Sequence, residues 1–101
     1  MEHYSVLKKE AINYLIKDKK GIYVDGTLGA GGHSLSILKN LDNDGFLYCF
    51  DLDDESFKVS TKYLKGFSNY KFIKSNNSHL RDYINSNVDG VLLDLGLSSM
   101  Q

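Results

Sequence analysis

Tyr23-Val24-Asp25-Gly26-Thr27-Leu28-Gly29-Ala30-Gly31-Gly32-His33-Ser34 is the stretch whose reading decides the fold. It starts within a short apolar strand, Ile22-Tyr23-Val24-Asp25, and passes through glycines into a helical pattern from about Ser34 to Leu41. Glycines let a backbone turn sharply and approach a ligand with no Cβ in the way. The helix after them offers unpaired N–H groups and the positive end of its dipole. Downstream, Asp42-Asn43-Asp44-Gly45 is turn chemistry, and Phe46-Leu47-Tyr48-Cys49-Phe50-Asp51 is a second strand. Asp53 or Asp54 caps a helix to about Lys65, with Phe57, Tyr63 and Leu64 facing the core, and Gly66 breaks it. Tyr70 to Lys74 is a third strand, His79 to Ser86 a short helix, and Gly90-Val91-Leu92-Leu93-Asp94 a fourth strand. Upstream, Val6, Leu7, Ala11, Ile12, Leu15 and Ile16 form a stripe of helical period over residues 5–17, ended by Gly21.

Strands alternating with helices mean βαβ units and a parallel sheet. Right-handed crossovers then give an α/β fold, a Rossmann-like doubly wound parallel sheet with helices on both faces. Ligands of such sheets sit beyond the C-terminal ends of the strands, at the switch point. Gly29–His33, Asp51, Ser75–Asn77 and Asp94–Ser98 are thereby expected along one rim.

Composition agrees with one small folded domain. The chain has 101 residues, of which 42% are hydrophobic and 25% charged, a globular balance. Twelve basic residues against 13 acidic ones leave a net charge of −1, which excludes a strongly basic whole-domain nucleic-acid binder but not a local patch. No apolar run approaches the roughly 20 residues needed to cross a bilayer. The N-terminal residues lack the pattern of a signal peptide, and the single cysteine, Cys49, excludes a disulfide framework. The expected setting is cytoplasmic, with no membrane partner. The chain stops at Gln101 directly after a dense motif, so a C-terminally truncated domain is expected.

The rim residues suggest a nucleotide-type cofactor. Twenty positions after Gly31 the second strand ends in Asp51, and a carboxylate there can accept both hydroxyl protons of a ribose. The plainer alternative is a tight turn plus a solvated aspartate. A dinucleotide fingerprint wants a third glycine where Ser34 stands after Gly29 and Gly31, and Asp25 ahead of the loop repels a pyrophosphate. Such a carboxylate suits the cationic end of S-adenosylmethionine, directly or through water, so that cofactor is favoured over NAD. On the fourth strand, Asp94 either accepts a hydrogen bond from an amino group, aiming its lone pair at a methyl donor, or caps the next helix.

Other residues read more plainly. His33 is a helix-start residue touching the cofactor in preference to a base or ligand, and His3 and His79 are structural, so no metal site is expected. Cys49 is a buried thiol, and the tyrosines and phenylalanines read as core. Lys17, Lys19 and Lys20 form a solvated basic cluster or, less simply, a phosphate contact.

With these motifs in hand, the chain resembles the N-terminal part of the ribosomal RNA small subunit methyltransferase H (MraW) family. Four blocks carry the resemblance: His3-Tyr4-Ser5-Val6-Leu7 with Glu10, the stretch from Tyr23 to Ser34, Asp51-Leu52-Asp53, and Asp89 through Gln101. The resemblance implies a class I S-adenosylmethionine-dependent methyltransferase, of which residues 1–101 are the partial, cofactor-binding half. It implies methylation of N4 of a decoding-region cytosine in 16S rRNA of the small ribosomal subunit, recognised through regions absent here. By it, Gly31, Gly32, His33, Asp51, Asn77, Asp94 and Gln101 line the cofactor site, and Asp94 is the catalytic residue. Asn77 stands where the family usually has an aromatic beside the adenine, and Ser5 and Met100 where proline is common. The alternative is an inactive or weakly binding nucleotide-binding fragment, its fourth strand an exposed edge.

Overall fold

The computed structural model describes residues 12, 14–26, 32–76, 79–85 and 87–92. In chain order these form β1 (Ile22–Asp25), α1 (Gly32–Asn40), β2 (Phe46–Asp51), α2 (Asp54–Tyr63), β3 (Tyr70–Lys74), α3 (Leu80–Tyr83) and β4 (Gly90–Leu92). The strands make one parallel sheet in the order β3-β2-β1-β4. The chain therefore winds outward from β1 to β3 and then crosses to the far side of β1. The gap between β1 and β4 is the switch point.

Strand alternation sorts the core into two layers. Tyr23, Leu47 and Cys49 face one side, where Ile12, Ile37, Leu38 and Leu64 close over them. Val24, Phe50 and Ile73 face the other, covered by Ile84 with Leu80 and Val88 packed alongside. Thus α1 and α2 lie on one face and α3 on the other, as a doubly wound sheet requires.

The helices differ in detail from the sequence expectation. Of the predicted N-terminal helix, residues 12, 14 and 15 are described and helical, and the Ile16 N–H donates to the Ile12 carbonyl at 3.0 Å. Asp53 caps α2, its carboxylate accepting the Glu55 N–H at 3.0 Å. Tyr63 does not join the core; it is 54% exposed. The inner stripe runs through Phe57, Ser60 and Leu64, and position 63 falls outside it at helical pitch. The helix expected over His79–Ser86 contracts to Leu80–Tyr83, because Ile84 already adopts an extended conformation. Of the fourth strand, Leu93 and Asp94 lie outside the described residues. Tyr14, Tyr63 and Tyr83 are exposed, so aromatic residues are not uniformly core.

Candidate cofactor site

β1 ends at the switch point with Asp25 fully buried, at 0% exposure. Its position pairs with Cys49 on β2 and Leu92 on β4, and the next N–H, from Gly26, donates to the Leu92 carbonyl at 2.7 Å. Alternation places Asp25 on the α1 side of the sheet. There its Oδ2 accepts the hydroxyl proton of Ser34, 2.5 Å away across nine positions of chain. Ser34 Oγ also lies 3.4 Å from Cys49 Sγ. A serine has one proton to donate, so the thiol donates to Ser34 and Ser34 to Asp25. Burial, with the Asp25 charge adding to it, pushes the Cys49 thiol up to about 12. It is a packed, un-ionised group at neutral pH, as expected for an inert thiol.

The sequence reading brought Asp25 to a ligand's cationic end directly or through water. In the fold the carboxylate lies inside, and its described partner is Ser34. Sequence reasoning noticed Ser34 only as a missing glycine. The signal available was an aspartate closing a strand and a hydroxyl in the first turn of the following helix.

Gly32 and His33 open α1, where backbone N–H groups have no partners within the helix. That first turn carries no acidic residue, while Lys39 sits in the last turn, so the positive end of the dipole is not opposed from within the helix. Asp51 closes β2 on the same rim, half-buried, with Oδ1 accepting the Asp53 N–H at 2.9 Å. This contact shapes the turn into α2 and fixes the carboxylate at the strand end. Behind it, Lys74 at the end of β3 pairs with Asp54 at 3.0 Å, an exposed pair of small energetic weight. Gly32, His33 and Asp51 are therefore brought to one rim across adjacent strands. Gly31, Asn77, Asp94 and Gln101 lie outside the described residues.

The remaining candidates sit elsewhere. His79 Nδ1 is 3.4 Å from Asp82 Oδ2 on the exposed side of α3. Lys17, Lys19 and Lys20 are exposed before the start of β1, the end of the strand away from the rim, with the Lys17 ammonium 5.2 Å from the Tyr14 ring centroid. Among the described residues, no group of three His, Cys, Asp or Glu side chains is placed to hold a metal ion. None of their helices is long and apolar enough to cross a membrane.

The MraW methylase family matches residues 1–101, the whole chain. The chain belongs to the MraW methylase family. A relative from Acholeplasma laidlawii, named ribosomal RNA small subunit methyltransferase H 1, is 51% identical over 105 residues, covering 100% of this chain and 35% of the relative. The chain thus spans about a third of the length of the curated relatives it matches, 35% and 34% for two of them. A solved structure described as an rRNA methylase from Streptococcus thermophilus superposes with a TM-score of 0.74 at 21% identity, over 90% of this chain and 54% of that one. A Streptococcus mutans protein solved in complex with SAH gives a TM-score of 0.68 at 20% identity, over 81% of this chain and 46% of that one. The fold of this family member is accordingly the Rossmann-like α/β fold of the class I methyltransferases.

Proposed function

We propose that residues 1–101 are the N-terminal, cofactor-binding part of an enzyme that transfers a methyl group from S-adenosylmethionine to N4 of a decoding-region cytosine in 16S rRNA. One observation carries the reading: a family match over the whole chain coincides with a rim that holds Gly32 and His33 after β1 and Asp51 at the end of the neighbouring β2. The donors fit the cofactor. The positive end of the α1 dipole suits its carboxylate end, and Asp51 suits the two ribose hydroxyls. Gly31, Asn77 and Gln101 are assigned to the same cofactor by their positions in the family's motifs.

S-adenosylmethionine supplies a methyl on a sulfonium, electrophilic without help from a metal. Asp94, two residues beyond the described end of β4, accepts a hydrogen bond from the cytosine amino group and turns its lone pair toward that methyl. As the N–C bond forms, the S–C bond breaks, its electron pair stays on sulfur, and the extra amino proton passes to water. The contribution of the chain is orientation. The partners are 16S rRNA and the small ribosomal subunit, the setting is the cytoplasm, and RNA recognition belongs to parts of the domain other than residues 1–101.

A nicotinamide reading is disfavoured by Ser34 in place of a third loop glycine and by the buried carboxylate it binds. A fragment that only binds nucleotide draws support from β4, which pairs with β1 alone among the described strands and leaves Val91 40% exposed. Methyl transfer from labelled S-adenosylmethionine to 16S rRNA, by the gene product containing residues 1–101, tests the proposal. Label on a cytosine amino group, located by mass spectrometry, supports it. Binding of the cofactor without transfer to RNA supports the fragment reading instead.

A further inference from the structure

We infer that Ser34 is a positioning residue of the cofactor site, holding the first turn of α1 at a set distance from the end of β1. This inference rests on the methyltransferase reading above. Ser34 is fully buried, with its hydroxyl between Asp25 Oδ2 at 2.5 Å and Cys49 Sγ at 3.4 Å. Those two partners stand side by side on β1 and β2. His33 directly precedes Ser34, and Asp51 lies two residues beyond Cys49. The Ser34–Asp25 hydrogen bond therefore ties the helix start to the end of β1, beside the end of β2 that carries Asp51.

The arrangement replaces a familiar one. In a dinucleotide loop the third glycine lets the helix pack closely on the strand. Here the position holds a serine, and its hydroxyl turns the close approach into a hydrogen bond to a carboxylate. Asp25 also supplies, from the strand, the negative charge that the first turn of α1 lacks. Replacing the hydroxyl removes the hydrogen bond between the helix start and the buried carboxylate, and the helix start is free to shift. Binding contacts that need the two elements in register weaken as a result, while the orientation of the amino group at Asp94 is untouched.

The test uses the full-length gene product, with S-adenosylhomocysteine titrated calorimetrically and turnover followed on 16S rRNA. Ser34→Ala should weaken S-adenosylhomocysteine binding roughly tenfold and raise KM for the methyl donor with kcat little changed. Cys49→Ala is the control: it lowers the unfolding temperature by opening a cavity, yet leaves the Ser34–Asp25 bond intact and should retain wild-type affinity. If Ser34→Ala does not fold, Asp25→Asn keeps the shape of the pair with a weaker acceptor, and it should lower affinity several-fold. Wild-type affinity in the Ser34→Ala protein, or in Asp25→Asn where that stands in for it, overturns the inference and leaves the methyltransferase reading standing. An equal loss in Cys49→Ala also overturns it, since general loosening then accounts for the effect. A wild-type protein that binds no S-adenosylhomocysteine overturns both.

Discussion

Asp25 and Asp51 end neighbouring strands with the same side chain, and the fold gives them different surroundings. Asp25 is enclosed and bonded to Ser34, whereas Asp51 is half-buried on the rim and shapes a turn through the Asp53 N–H. Asp51→Ala should weaken binding of S-adenosylhomocysteine by about tenfold or more, as loss of charge-assisted hydrogen bonds does; unchanged affinity by calorimetry removes Asp51 from the site. Cys49 gives a second residue-scale test. Its thiol ionises at about 12 in the folded chain against 9.0 for the ordinary group, because burial disfavours the thiolate. The folded state thus holds a proton that the unfolded state releases, so this contribution to stability is complete below about pH 9 and is lost as pH rises toward about 12. Equilibrium unfolding across that window should show the decline, and Cys49→Ala should remove this component. Of these residues, the place of Asp51 at the end of β2 was legible because short apolar runs bounded by turn residues mark a strand in the chain itself. The Asp25–Ser34 bond was not, since it depends on how the loop between them brings a strand end under a helix start.

At the level of elements, caps and glycines set the boundaries. Asp53→Ala removes the cap of α2 and should cost about 1 kcal/mol in thermal or denaturant unfolding. Gly45 lies where an added Cβ would sit 2.5 Å from the Lys19 carbonyl, a backbone atom that cannot swing away. Gly45→Ala should therefore destabilise by about 1–3 kcal/mol, as overpacking does. Gly66 contrasts with it: space there is open, but φ is +97°, so an alanine is strained by conformation alone and should cost about 1 kcal/mol. The strands were readable to their described ends, since short apolar runs bounded by turn residues leave little freedom. The helices were less so. Tyr63 reads as core by composition but faces outward by pitch, and α3 ends early because Ile84 turns extended to reach the second core.

For the molecule as a whole, the split of helices between the two faces follows from alternation and crossover rules and was expected from the sequence, whereas the order β3-β2-β1-β4 is read from the structure. The same order puts β4 beside β1, and Asp94 follows the described end of β4 by two positions in the sequence. Asp94→Ala in the full-length gene product should abolish most rRNA methylation while leaving S-adenosylhomocysteine binding measurable; undiminished turnover removes its proposed role. What the sequence left open at this scale is RNA recognition, because the described rim holds the residues proposed for the cofactor and the exposed lysines lie before β1. The measurement that bears most directly on the account is calorimetric titration of the gene product with S-adenosylhomocysteine, followed by challenge with NAD. Saturable binding of S-adenosylhomocysteine that excess NAD does not displace is the expected result. Absence of that binding, or displacement by NAD, contradicts the assignment of the rim at Gly32, His33 and Asp51.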